Sequence, residues 1–132
     1  MSEFYLQVHC EFDRYYSIII EDDSRVAYAY MYWGEDIIGD VWLYNQSQTP
    51  KKTLWVEENM PFLNPAEYLK ANINIPPITK ANEVGCEWTE SPDGVIEVEI
   101  LIRGQFIAGI AAGSKPGWSA LVVKDGPLAL LY

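Results

Sequence analysis

The sequence predicts a mainly β fold, an antiparallel sheet or sandwich of seven or eight strands with one short helix. The alternative it leaves open is an α+β sheet with one covering helix. Three observations predict this. Apolar and polar residues alternate with period two through residues 4–12 and 95–103. Turn-forming clusters recur at short intervals between such runs. Aromatic residues, which suit a pleated half-buried surface, make up 14% of the chain.

Along the chain, Phe4, Leu6, Val8, Cys10 and Phe12 form one face of a first strand. A β-branched run at 17–21 is closed by the turn signal Asp22-Asp23-Ser24. In residues 25–33, Tyr28, Tyr30 and Tyr32 share one face, with Ala27, Ala29, Met31 and Trp33 on the other. Residues 37–45 read as a fourth strand with a bulge at Gly39, since glycine inside a strand pattern marks such irregularities. The middle of the chain is broken by Pro50, Pro61, Pro65, Pro76 and Pro77. Its one expected helix covers residues 64–71, with Asn64 as N-cap, Pro65 in the first position and Glu67 at the positive end of the dipole. Residues 84–90 and 95–103 flank Ser91-Pro92-Asp93-Gly94, where Pro presets φ and Gly supplies φ > 0. Residues 105–112 are almost wholly apolar, so a central strand covered on both faces is expected. Its small residues Ala108, Gly109, Ala111 and Ala112 predict close approach by another element. Residues 119–124 and 128–132 are the last two expected strands. No linker separates two cores, so residues 1–132 read as a single domain.

Composition narrows the function. The 132 residues carry 19 acids against 9 bases, a formal net charge of −10. Affinity for a phosphate backbone comes mainly from Lys and Arg, so nucleic acid is not an expected partner, nor is an anionic membrane surface. Met1-Ser2-Glu3 lacks the basic start of a signal peptide, and no apolar run approaches the roughly 20 residues of a membrane span. The expected location is the cytoplasm. Cys10 and Cys86 form no ligand-spaced pair, and a bridge between them is neither required nor excluded.

No reaction is legible. His9 is the sole histidine, and strand alternation puts it on the opposite face from Cys10, so the two cannot form a nucleophile pair. Glu21-Asp22-Asp23 matches no metal-loop spacing and reads as a solvated turn. Glu97 and Glu99 lie about 7 Å apart on one face, but alternating carboxylates on an outward face are the ordinary way to keep a sheet soluble. Phosphate-loop, nucleophile-elbow and metalloprotease motifs are absent. The expectation is no catalytic residue, no cofactor and no metal.

Two features stand out. Between residues 81 and 102 there is no base, but Glu83, Glu87, Glu90, Asp93, Glu97 and Glu99 are present. Between residues 26 and 50 there is again no base, against Glu35, Asp36 and Asp40. Such a field accelerates association with a basic partner. The second feature is aromatic load: Trp33, Trp42 and Trp88 lie near these acids, and Trp with carboxylates is the composition of a binding hot spot. The core reading competes, because aromatics also bury large areas.

The segments Lys115-Pro-Gly-Trp-Ser119 and Lys124-Asp-Gly-Pro-Leu-Ala129 are joined by Asp40-Val-Trp-Leu-Tyr-Asn45 and Pro61-Phe-Leu-Asn-Pro65 in resembling small acidic bacterial proteins. Those proteins are encoded beside polymorphic or contact-dependent toxins and act as immunity proteins. The resemblance implies a non-enzymatic protein that binds a basic toxin, such as a nuclease, and occludes its active site. It carries no site residues across. Gly117 and Gly126 read as turn residues and Trp118 as a core anchor. The expected contacts are therefore Glu35, Asp36, Asp40, Glu87, Glu90, Asp93, Glu97 and Glu99, with Trp33, Trp42 and Trp88 as apolar anchors. A carbohydrate or small-ligand binding module, and a subunit whose edge strands pair into a homodimer, are the other two readings.

Overall fold

A computed structural model describes residues 3–52 and 55–132. Two sheets make up the fold, a β-sandwich-like arrangement. The first is a meander in the order β1-β2-β3-β4, with β1 Glu3–His9, β2 Tyr16–Asp23, β3 Val26–Trp33 and β4 Asp36–Asn45. All its pairings are antiparallel. The second has the order β5-β6-β7-β8-β9, with β5 Val84–Glu90, β6 Ile96–Ile102, β7 Gln105–Ala111, β8 Trp118–Ser119 and β9 Leu130–Leu131.

Alternation does the work expected of it. Ile18, Ile20, Ala29, Met31 and Val41 from the first sheet, with Val98, Ile100, Ala108 and Ile110 from the second, are fully buried in one shared cluster. Burial of this apolar surface is the main favourable term holding the sheets together. They meet where β4 crosses β7, and a Cβ on Gly39 would lie 2.6 Å from the Ile110 methyl. A register irregularity of the β3–β4 ladder falls beside Gly39.

The outer edge of β4 is clasped by the last third of the chain. Gly113 N–H donates to Ile38 O (2.8 Å), Asp40 N–H to Ser114 O (3.1 Å), Gly117 N–H to Asp40 O (2.7 Å) and Trp42 N–H to Leu128 O (3.1 Å).

Three expectations fail. The helix over residues 64–71 is absent, and only a 3-10 turn forms at Ala66–Tyr68. Tertiary bonding overrides the capping signal: Lys70 N–H donates to Leu121 O (2.9 Å) and Val123 N–H to Tyr68 O (2.8 Å), which draws the chain out beside residues 121–123. Asn64 is buried as a strap residue instead, its N–H donating to Asn45 Oδ1 and its carbonyl accepting from Asn45 Nδ2, both at 3.0 Å. The last two strands are two residues each and pair in parallel. The first strand stops at His9, and Phe12 lies exposed in the following turn.

Candidate partner interface

In the β5–β6 hairpin, alternation sends Trp88, Ile96, Val98 and Ile100 inward. Glu87, Glu97 and Glu99 take the outer face. Glu87 stands directly opposite Glu99, and Thr89 opposite Glu97. Like charges placed opposite each other destabilise a ladder, yet no base answers them. The next strand presents only Gly109 beside Glu99 and Ala111 beside Glu97. On the far side of Gly109 lies Trp118, paired with it across β7 and β8. The indole occupies the space a Gly109 side chain would need. The outer face of the second sheet therefore sets three carboxylates beside one half-buried indole, whose Nε1 has no hydrogen-bond partner among the described residues. Glu90 ends β5 and Asp93 sits in the exposed turn beyond it.

The other acidic region belongs to the first sheet and divides in two. Glu35 lies exposed in the β3–β4 turn and Asp36 lies exposed at the start of β4. Beside them Trp33, 46% exposed, meets Tyr15 of the β1–β2 turn edge to face, with centroids 4.7 Å apart. Gly34 N–H donates to Tyr15 O (2.8 Å), which ties the two turns together. Gly34 has φ +61°, and the Tyr15 ring fills its open side.

Asp40 lies apart from this cluster, half-buried and directly opposite Tyr30. Tyr28 and Tyr30 stack with centroids 6.1 Å apart. With Phe62 and Leu128 they line a cleft of about 230 Å³ that includes Asp40. Burial pushes the Asp40 carboxyl up from the usual range, against a partial offset from the Lys115 charge. Burial, then the charge of Glu21, pushes the Tyr30 hydroxyl up to about 12.

Among the described residues the ion pairs are Arg25–Asp23, Arg103–Glu83 and Lys124–Glu67. None uses any of the eight expected contact acids. Asp22 and Asp23 are structural rather than a solvated turn. Asp23 Oδ1 accepts the N–H groups of Arg25 (2.8 Å) and Val26 (3.0 Å), and Asp22 is buried.

The two acidic regions lie on different sheets. Two corrections follow for the expected site. Trp42 is 1% exposed, with Nε1 donating to Asn45 Oδ1 (2.9 Å), and Trp88 is 9% exposed on the inner face of β5. Neither can anchor a partner: period two turns Trp88 inward, and Trp42 lies in a stretch of β4, Val41 to Tyr44, that is buried on both faces. Trp118 is not a core anchor but lies on the outer side of β8. Tyr15 and Trp118 stand beside these acidic regions and were not among the expected contacts. The small-residue run in β7 was the available signal for Trp118, and an aromatic inside a polar turn was the signal for Tyr15.

The cysteines are both free, and burial pushes the Cys86 thiol up to about 11, which keeps it protonated and unreactive at neutral pH. Among the described residues no helix is long and apolar enough to cross a membrane. Comparison with family models, curated proteins and solved structures finds no match to this chain.

Proposed function

We propose that the protein is an immunity-type binding protein that neutralises a basic bacterial toxin in the cytoplasm by covering its active site. The observation that carries this reading is the opposed pair Glu87 and Glu99, with Glu97 on the same open face and no neutralising base. A sheet that tolerates this repulsion alone is relieved of it by a cationic partner. Carboxylates in a row substitute for phosphates against the Arg and Lys of a nuclease-like site. Trp118 supplies an apolar contact beside them. Glu35, Asp36 and Trp33 form a second, separate acidic and aromatic surface.

The test is association with the toxin encoded beside the gene. Glu87→Lys, Glu97→Lys and Glu99→Lys combined should slow association about tenfold or more at low salt and flatten its salt dependence, with the fold retained. An unchanged association rate would overturn this placement. Slowing by Glu35→Lys with Asp36→Lys instead would move the interface to the first sheet.

The Tyr30–Asp40 cleft favours a second reading, a small ligand with one flat face and a donor for the carboxylate, as a sugar has. Saturable quenching of tryptophan fluorescence by a panel of sugars, lost in Asp40→Asn, would support it.

A further inference from the structure

We propose that β1 is a homodimer interface, with two copies pairing this strand antiparallel about a two-fold axis at Leu6 to give one continuous eight-stranded sheet. The inference is independent of the toxin-binding reading and rests on the edge itself.

β1 is an edge strand, and among the described residues nothing pairs with its outer side. Cys10 N–H donates to Tyr16 O (2.9 Å), in register with the Val8–Ile18 pairing. Backbone direction alternates along a strand. Phe4, Leu6 and Val8 therefore direct their N–H and C=O groups to β2. Glu3, Tyr5, Gln7 and His9 direct theirs to the open side. The strand has no Pro, no Lys and no bulge, and its one acid, Glu3, sits at its end.

The sequence of the strand is complementary to itself in reverse. With Leu6 on the axis, Phe4 faces Val8 of the second copy on the inner side. These three apolar side chains are only half-buried in one copy. On the outer side Tyr5 faces Gln7 and Glu3 faces His9, an acid against an imidazole at both ends. The outward-directed backbone groups fall on the Glu3–His9 and Tyr5–Gln7 pairs, so the register that matches side chains also closes the hydrogen-bond ladder. An isologous contact of this kind needs one patch to suit itself, and the palindrome supplies that.

Each copy carries a formal charge of −10, so general repulsion opposes the dimer. Screening it should tighten self-association, whereas screening weakens binding to a basic toxin. Sedimentation of the full chain should show a dimer that strengthens from low to high salt. Hydrogen exchange should show the Tyr5, Gln7 and His9 amides protected in the dimer and fast in the dilute monomer. Gln7→Pro removes an outward backbone donor and no backbone bond to β2. Gln7→Ala, which loses the same side-chain bond from Gln7 Nε2 to Ser17 Oγ (3.2 Å), is the control, and the Pro variant should weaken the dimer about tenfold or more beyond it with the fold retained. Should that variant fail to fold, Glu3→Lys and His9→Glu decide. Each alone should weaken the dimer relative to the pair combined, which restores the match with reversed sign. A monomer at every salt and concentration would overturn the proposal, as would a dimer indifferent to Gln7→Pro or, where that variant does not fold, one without rescue by the combined swap.

Discussion

The Tyr44 hydroxyl donates a 2.6 Å hydrogen bond to Asp22 Oδ2 inside the core. Asp22 is 3% exposed and also accepts from Gln46 Nε2 (2.7 Å) and from Ser24 N–H (3.0 Å). The same hydroxyl accepts Ile78 N–H at 3.0 Å, so one phenol ties the β2 carboxylate to the strap that leads into the second sheet. Tyr44→Phe leaves a buried carboxylate short of a donor and a buried amide without its acceptor. We expect a loss of about 1–3 kcal/mol in urea unfolding. A loss under about 0.5 kcal/mol would mean that water replaces the phenol freely.

Gly109 and Trp118 should behave as a coupled pair. Gly109→Ala forces the indole to move and should cost about 1–3 kcal/mol. Trp118→Ala should cost about the same, less than a full core truncation because the ring is half-buried. In the Trp118→Ala background the methyl added by Gly109→Ala meets no ring, so that second change should cost far less. A double-mutant cycle on unfolding free energies reads this coupling.

Asp40→Asn should stabilise the protein at neutral pH. Burial raises the folded-state carboxyl above its unfolded value. Such a group is harmless below the unfolded value, near pH 4, and subtracts stability as pH rises through the folded value. The gain from Asn should therefore be present near pH 7 and shrink towards pH 4. Stability measured across that range checks the sign.

Tyr30 contributes to an alkaline limit, alongside Tyr28 and Tyr44, whose hydroxyls burial also pushes up. The Tyr30 hydroxyl is held up to about 12 in the fold, while an unfolded tyrosine ionises near 10. The unfolded chain releases its proton first, so stability is lost between those values as pH rises. Tyr30→Phe should remove its share of that loss, seen as a shallower fall in the unfolding midpoint above pH ~10.

The long strands were legible because each buries one face, as Ile96, Val98, Ile100 and Ile102 do while Glu97 and Glu99 stay outside. The closeness around Gly109 was legible for the same reason, since only a neighbour explains so many small residues in one strand. The 64–71 segment was not, because its fate depends on residues 121–123, more than fifty positions away, and local capping signals carry nothing of that contact. The candidate site was half legible. Charge spacing located Glu87, Glu97 and Glu99, and alternation placed them outside. Alternation applied with equal care would have turned Trp88 inward, because it lies between Glu87 and Thr89. Which sheet an acid belongs to is a matter of topology, and so the separation of Asp36 from Glu99 was beyond pattern reading.

The clasp on β4 has a consequence for synthesis on the ribosome. The meander is complete once residues 3–45 have emerged, but the groups that cap its Asp40 edge come from residues 113–128. At ordinary elongation rates that interval lasts on the order of several seconds. During it the nascent chain carries a bare strand edge, the template on which neighbouring chains aggregate. The carboxylate of Asp40 and the bulge beside Gly39 lie in the middle of that edge, a charge and an irregularity of the kind that discourage foreign strands. The half-buried acid that costs the finished protein stability is thus also a charge at the middle of that edge while the protein is being made.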